Sequence, residues 1–289
     1  MKAGVAIIGY ASLDHVAMLD AVPTPGRTAT IVDRRDEAWP RLGGSPAYVA
    51  AALAAAGMRG TCPISWVGKD DAGQRYVEQL RARHVAVEGV AMLADARTPI
   101  AILAYDPAGG CSCLYDPGMR ADLALTGAQR GLIADADWLC VTIGPAAATL
   151  AALDALRPDA KLAWVVKDDP RAMPGDLAAR LAGRADLICH SRAEAGFLDA
   201  ALAGAREPAA GQIVIETRGE DGATARRDDQ SVSVPTAPIE TADPTGAGDT
   251  FAGGAISALA GGETDLRRII EAGHRAARAL LGRRQASST

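Results

Sequence analysis

Residues 243–254 read DPTGAGDTFAGG and stand between a Pro-rich run and an Ala-rich run of helical length. Gly246, Ala247 and Gly248 lie where the chain enters that helix, so their backbone N–H groups can face outward at the positive end of the helix dipole. Asp249 falls in the first turn, where a carboxylate can accept the proton of a hydroxyl and orient it towards a phosphate. The pattern predicts an anion site, although a tight glycine turn with a capping aspartate accounts equally well for these residues alone.

Outward from this segment, short apolar runs bounded by Gly, Pro or Asp alternate with Ala- and Leu-rich runs of helical length. This alternation is typical of βαβ units, so we predict an α/β fold with a mainly parallel sheet. The predicted strands are 5–9, 62–67, 138–143, 162–166, 187–189 and 213–217. The predicted helices are 47–56, 73–83, 146–156, 176–181, 193–200, 247–260 and 266–281.

Two segments, 28–37 and 98–116, interrupt the alternation. Within the second, the β-rich runs 100–105 and 111–115 are joined by DPAGG, which is turn chemistry. We expect both segments to form a small sheet inserted into a single domain that spans 1–289, because no repeat or low-complexity linker divides the chain. The polar tail after Leu281 is expected to fray.

Composition narrows the class of protein. The chain has 289 residues, 22% of them charged, with a formal net charge of −5. A net negative charge does not favour binding to nucleic acid or to an anionic membrane. No apolar stretch reaches the ~20 residues that span a bilayer. The opening run MKAGVAIIGY is too short for a signal peptide, so we expect a cytoplasmic protein. The five cysteines lie mostly in apolar strand-like runs and are expected to be reduced thiols.

The segment DPTGAGDTFAGG resembles the C-terminal signature of the PfkB carbohydrate kinases at essentially every position, and the resemblance extends over nearly the whole chain. It implies a ribokinase-like three-layer α/β/α fold with a small β-sheet lid that closes over the substrate. It implies ATP and Mg²⁺ as cofactors. It also implies that Gly246, Ala247, Gly248 and Asp249 form the anion hole, with Asp249 as the catalytic base.

On the substrate side, residues 9–28 resemble the first strand and loop of ribokinase-like enzymes. This resemblance implies that Ser12 and Asp14 bind substrate hydroxyls. Without that context, Asp14 could equally be a solvated turn residue.

Residues 43–57, GGSPAYVAAALAAAG, are similar to the N-terminal signature of the same family. The resemblance implies that Gly43 and Gly44 let the backbone approach the sugar, whereas a glycine pair can also mark a helix entry alone. Tyr48 stands where the family usually has an asparagine that bonds the sugar. Tyrosine offers one hydroxyl on a bulky ring, so we predict a substrate other than simple ribose or fructose, or another binding group for it.

On the nucleotide side, the segment 213–222 resembles the strand and turn that meet the ATP phosphates, which implies roles for Thr217 and Gly219. HSRAE at 190–194 stands in place of the family's Asn-x-x-Glu: Glu194 is kept and is implied to organise Mg²⁺ through water, while Ser191 replaces Asn. His274 falls near the expected adenine contact. An ordinary β-turn and a partly exposed helix histidine remain alternatives for these positions.

Two further motifs bear on the cofactors. The segment LLGRRQASST does not clearly match the loop with which family members hold a monovalent cation, so dependence on K⁺ stays open. The sequence Gly-x-x-x-x-Gly-Lys-Ser/Thr is absent, which makes a P-loop kinase a poor interpretation.

The sequence thus predicts a kinase that transfers phosphoryl from ATP to a hydroxyl of a small carbohydrate-type substrate. The resemblance also implies a homodimer formed through the lid. A nucleoside kinase is an alternative, in which Tyr48 stacks on a base. A weakly active regulator that binds a sugar or nucleotide is a second alternative, prompted by the departures at Tyr48 and Ser191.

Overall fold

A nine-stranded sheet forms the centre of the computed structural model, which describes residues 4–205, 209–239 and 241–286. With strands numbered along the chain, it contains β1 (Val5–Ile8), β5 (Thr61–Gly68), β6 (Val90–Leu93), β9 (Trp138–Val141), β10 (Lys161–Val165), β11 (Leu187–Ser191), β12 (Ile213–Thr217), β13 (Ala223–Arg227) and β14 (Gln230–Val234). The order across the sheet is β14-β13-β12-β11-β10-β9-β1-β5-β6. Only the pairs β12–β13 and β13–β14 are antiparallel, so the prediction of a mainly parallel sheet is confirmed.

A second, five-stranded sheet contains β2 (Ser12–Leu19), β3 (Ile31–Asp33), β4 (Arg41–Gly43), β7 (Ile100–Tyr105) and β8 (Cys111–Asp116). Its order is β3-β2-β7-β8, with β4 paired to β2. The predicted small sheet is therefore confirmed. It is larger than predicted, because β2 and β4 come from segments outside 28–37 and 98–116.

Within the part of the chain that the structure describes, eight α-helices cover the two faces of the central sheet. They are α1 (Ser45–Ala55), α2 (Asp71–Arg81), α3 (Gly127–Asp135), α4 (Ala146–Ala155), α5 (Gly175–Arg184), α6 (Ala195–Gly204), α7 (Ala247–Ala260) and α8 (Leu266–Ala286). Buried residues of α1, α2, α7 and α8 form one core, and buried residues of α3 to α6 form the other. In β1, Val5 and Ile7 join the first core while Ala6 and Ile8 join the second, as the period of two in a strand requires. The fold is a three-layer α/β/α arrangement.

The structure corrects three sequence predictions. Helix α3 was not predicted, because its nine residues bury only Gln129 and Ile133 and give little periodic signal. Strands β6, β13 and β14 were also missed. The tail after Leu281 is helical as far as Ala286, and the remaining three residues lie outside the described residues.

The cysteines follow the prediction in part. All five are free; Cys62, Cys140 and Cys189 are buried, whereas Cys111 and Cys113 are exposed on β8. Among the described residues, no helix combines the length and the hydropathy needed to cross a membrane.

Asp70 ties the central sheet to the small sheet. Its carboxylate caps α2 by accepting from the Gly73 N–H at 2.7 Å. It also accepts from the Thr98 N–H at 2.9 Å and the Thr98 hydroxyl at 2.6 Å, just before β7 begins. Burial opposes ionisation, but these hydrogen bonds outweigh it and hold the pKa of Asp70 below its ordinary value. The start of β7 is thereby fixed to the carboxyl end of β5.

We predict that Asp70→Ala lowers the free energy of unfolding by about 1–2 kcal/mol, because the cap is lost and two backbone donors lose their acceptor. Urea denaturation at neutral pH measures this. Because the folded-state pKa is lowered, the contribution of Asp70 is present at neutral pH and fades as pH falls through that pKa. Asp71→Ala, at the exposed next position, is the control; an equal loss in both variants contradicts the role given to Asp70.

Candidate functional site

Polar residues gather where the parallel strands of the central sheet end. Lys167 follows β10, Glu194 follows β11, and Thr217 ends β12, opposite Ser191 in the parallel register. Ligands of open α/β sheets bind outside the carboxyl ends of the strands. The first turn of α7, where the sequence predicted an anion site, supplies the remaining groups.

The turn into α7 presents donors to this edge. Gly246 is its N-cap residue and has φ +76°, a left-handed conformation that favours glycine. The described residues supply no acceptor for the backbone N–H groups of Gly246, Gly248 and Asp249. A side chain at Gly248 would meet nothing within 4 Å, so the space in front of the turn is open. Three unpaired donors at a helix N-terminus suit a phosphate oxygen.

Ala247 differs from the prediction. Its N–H donates to the Pro244 carbonyl at 3.0 Å and is therefore not free for an anion. This bond closes the turn. The N–H of Asp249, which has no acceptor among the described residues, is available for an anion instead.

Asp249 is the buried carboxylate of the site. Its side chain lies in the first turn of α7 and the residue is 6% exposed. Its Oδ1 atom is buried and has no hydrogen-bond partner among the described residues. Buried polar atoms almost always have partners, so this oxygen is an acceptor left open for a group outside the chain.

Lys167 is a functional candidate that the sequence interpretation missed. Its Nζ lies 3.5 Å from Oε1 of Glu194. The negative charge of Asp249, with a smaller contribution from Glu194, raises its pKa even though burial opposes this. The available signal was its position, as the first charged residue after the buried strand β10.

The predicted substrate side assembles around Asp14, which is 3% exposed on β2. Oδ1 of Asp14 accepts from the Ser12 hydroxyl at 2.6 Å, and Oδ2 accepts from the Tyr48 hydroxyl at 3.2 Å. Burial raises the pKa of Asp14, while the bond from Ser12 acts in the opposite direction. A Cβ at Gly43 would stand 2.0 Å from Oδ1, so only glycine admits this carboxylate there. Gly44 has φ +83° and is the N-cap residue of α1.

Tyr48 joins the predicted substrate side to the predicted anion turn, residues 246–249. A Cβ at Gly246 would lie 2.6 Å from the Tyr48 ring, so ring and turn are in direct contact. The guanidinium of Arg284 lies over the same ring, 5.8 Å from its centroid. The Tyr48 hydroxyl, predicted to face the substrate, is already bonded to Asp14.

Asp243 connects the small sheet to the anion turn. Arg41 of β4 forms a two-pronged ion pair with its carboxylate, and the Tyr105 hydroxyl of β7 donates to Oδ1 at 3.0 Å. Burial alone would raise the pKa of Asp243, but Arg41, together with the charge of Arg284, lowers it to about 2. Arg41, Tyr105 and Arg284 were not found from the sequence, because each reaches Asp243 from a distant segment.

Ser191 and Glu194 form a reciprocal cap at the end of β11. The Ser191 N–H donates to Oε2 of Glu194 at 2.7 Å, while the Ser191 hydroxyl accepts from the backbone N–H of Glu194. Glu194 thus faces Lys167 with one oxygen and the cap with the other. Across the described residues, no group of three or more His, Cys, Asp or Glu side chains is arranged to hold a metal ion.

The other predicted nucleotide contacts lie on β12 and α8. The Thr217 hydroxyl donates to the His190 carbonyl at 3.2 Å, and Gly219 has φ +59° in the turn that follows. His274 packs edge-on against Phe251 with ring centroids 5.4 Å apart. Burial lowers the pKa of His274, and the charge of Arg278 adds to this.

Known proteins resemble this chain along almost its whole length. A nucleoside kinase from Methanothermobacter thermautotrophicus is 28% identical over 273 residues, which cover 90% of this chain and 83% of that protein. A ribokinase from Staphylococcus aureus is 22% identical over 94% of this chain and 91% of its own length. The crystal structure of ribokinase from Cryptococcus neoformans in complex with ADP superposes with a TM-score of 0.79 at 21% identity, covering 96% of this chain and 94% of that one.

The family model described as "pfkB family carbohydrate kinase" matches residues 2–289. The matched range includes Asp14 and residues 246–249. The chain therefore belongs to the pfkB family of carbohydrate kinases.

Proposed function

We propose that this chain transfers the γ-phosphoryl group of ATP to a hydroxyl of a small sugar or nucleoside, with Asp249 as the base. The observation that carries the proposal is the buried, unpartnered Oδ1 of Asp249 beside the open N–H groups of the α7 turn. An open acceptor takes the proton of a hydroxyl, and adjacent open donors stabilise charge on a phosphoryl group.

In the proposed step, the substrate hydroxyl gives its proton to the Asp249 carboxylate as its oxygen forms a bond to the γ-phosphorus. The bond from that phosphorus to the bridging oxygen breaks, and ADP leaves with the electron pair. The N–H groups of Gly246, Gly248 and Asp249 face the phosphoryl oxygens. Lys167 adds positive charge between Asp249 and Glu194. Positioning and charge stabilisation supply most of the rate in such transfers.

Mg²⁺ fits this site as a companion of the phosphates. The ion prefers to keep several waters and to bind phosphate oxygens with one or two carboxylates, so it needs no all-protein cluster. Glu194 is the carboxylate that would hold it through water. When bound, the ion neutralises charge on the phosphate oxygens.

Two substrate classes fit the same chemistry. Relatives include both a ribokinase and a nucleoside kinase, and Asp14 provides a buried carboxylate that suits sugar hydroxyls in either case. The similarity to the nucleoside kinase favours keeping that class as the second candidate. Saturation of ATP turnover by nucleosides, with free sugars inactive, would select it.

We predict that Asp249→Asn lowers kcat by on the order of 10³-fold, because the amide cannot accept the hydroxyl proton. ADP release in the presence of a substrate from the panel measures kcat. Calorimetric titration should show ATP binding largely retained.

The matched control is Asp176→Asn, an exposed aspartate in the first turn of α5 on the opposite face of the sheet. It is expected to behave as the wild type. Near-normal turnover of Asp249→Asn would exclude Asp249 as the base.

A second prediction concerns Lys167. We expect Lys167→Met to lower kcat/KM for ATP by about 10²-fold, because a preorganised positive charge is removed from the path of the phosphoryl group. Steady-state kinetics with varied ATP checks this. Lys161→Met, at the start of β10, the strand that precedes Lys167, is the control, since its exposed ammonium pairs only with Asp186 among its described contacts. Equal kinetics of both variants would remove Lys167 from the mechanism.

We further propose that the chain is a single kinase domain that pairs through its small sheet into a homodimer. The large hydrophobic side chains that are markedly exposed lie on or next to that sheet: Val22, Ile31, Val32, Leu114 and Tyr115. Strands β3 and β8, which carry four of them, are its edges. Exposed apolar groups on a free sheet edge favour pairing with another chain. A cytoplasmic location stays a prediction from the sequence.

The dimer has its own test. Leu114 is 66% exposed, and Leu114→Asp is expected to shift the protein from dimer to monomer in light scattering, because a charge is costly in an apolar contact. Ser231→Asp, exposed on the edge strand β14 of the central sheet, should leave the dimer intact. A wild-type protein that is monomeric at all concentrations contradicts the proposal.

A further inference from the structure

Arg284 binds the turn that precedes the anion site. Its Nη1 donates to the carbonyl of Asp243 at 2.9 Å and to the carbonyl of Thr245 at 2.6 Å. The same atom lies 3.5 Å from Oδ2 of Asp243, and the Arg284 side chain is 14% exposed. One largely buried cation thus faces three oxygen atoms from two residues, Asp243 and Thr245.

The conformation of this turn creates the need for a cation. The carbonyls of Asp243 and Thr245 converge on one point, while the carbonyl between them, that of Pro244, accepts from Ala247. Convergent carbonyl dipoles beside a carboxylate repel one another unless a positive charge lies between them. Backbone carbonyl oxygens are also the groups that proteins use to bind K⁺.

The contact reaches the site through Gly246 and Tyr48. Gly246 follows Thr245 directly and begins the run of open N–H groups. Nη2 of Arg284 lies 3.4 Å from the Tyr48 hydroxyl, and its guanidinium covers the ring that packs against Gly246. Arg284 therefore holds the anion turn from the carbonyl side and through the Tyr48 ring.

We propose that Arg284 is a built-in cation of the phosphoryl-transfer site, which fixes the turn 243–246 and makes an added monovalent cation unnecessary. The inference rests on the proposed function. Dependence on K⁺ is open from the sequence; in the structure, the two carbonyls that converge before α7 and could bind such an ion already accept hydrogen bonds from Arg284. Arg284 is a positioning residue, since it acts on the phosphoryl group through the turn.

The test compares wild type with Arg284→Ala in buffers of equal ionic strength that contain K⁺, guanidinium or choline. The wild type should bind ATP and turn over equally well in all three. Arg284→Ala should lose about 10-fold or more in kcat in choline, because a small displacement of the turn misaligns the donors. Its kcat and its ATP affinity should recover in K⁺ or guanidinium, since either ion can occupy the space between the carbonyls.

Calorimetric binding of ATP separates this inference from the proposed function. Two results together support the role of Arg284, even if no tested substrate is phosphorylated. The wild type should bind ATP independently of the cation in the buffer, and Arg284→Ala should recover ATP binding in K⁺ or guanidinium. Absence of turnover on every substrate counts against the kinase proposal alone.

Arg283→Ala, at the exposed neighbouring position, is the control and should match the wild type in every buffer. If Arg284→Ala does not fold, Arg284→Lys replaces it; its single ammonium cannot reproduce the guanidinium fork, so activity should rise with added guanidinium. Strong stimulation of the wild type by K⁺ would overturn the inference. A folded Arg284 variant that keeps its kcat in choline would also overturn the inference. So would one whose kcat does not recover when the ions are added.

Discussion

The geometry of the site depends on the hydrogen bonds and ion pairs that the buried carboxylate of Asp243 makes. It lies where the small sheet, the turn into α7 and the end of α8 meet, and its side chain is 9% exposed. A charge in that position is stable only while its partners stay in place, and removing one partner of a buried ion pair costs about 3–5 kcal/mol. Arg41 and Tyr105 hold it from the small sheet, and Arg284 holds it from α8. The position of the small sheet is thereby coupled to the turn that carries Gly246 and Asp249.

The two halves of the site differ in how many of their polar groups are already hydrogen-bonded within the chain. On the phosphoryl side, the open N–H groups and Oδ1 of Asp249 are left unpaired by the chain, as a site for an external phosphate and hydroxyl requires. On the substrate side, Asp14 already accepts from Ser12 and Tyr48, so a substrate hydroxyl must share or displace these bonds. Tyr48 stands between the halves, with its ring on Gly246 and its hydroxyl on Asp14. In the proposed mechanism, Tyr48 therefore affects both the selectivity for the substrate and the turn that faces the phosphoryl group.

Features that depend on neighbouring residues in the chain, such as strands and turns, could be predicted from local patterns in the sequence. Apolar runs between turn residues predicted the parallel sheet, and the glycines and Asp249 predicted the anion turn. Residues whose roles arise from long-range contacts were not predicted: Arg41 and Arg284 meet at Asp243 although 243 positions separate them in the chain. The polar tail also makes a long-range contact: it is helical to Ala286, and Arg284 within it bonds the turn before α7. The bond from the Ala247 N–H to the Pro244 carbonyl was not anticipated, because a single backbone bond does not follow from residue type.

The central claim is that phosphoryl passes from ATP to a hydroxyl held between Asp14 and Asp249. Phosphorus NMR of a reaction with ATP and a panel of sugars and nucleosides tests it most directly. The account predicts a phosphomonoester of one substrate class that appears in equal amount with ADP, and no accumulation of inorganic phosphate. ATP consumed only to inorganic phosphate, or no consumption with any member of the panel, would contradict it.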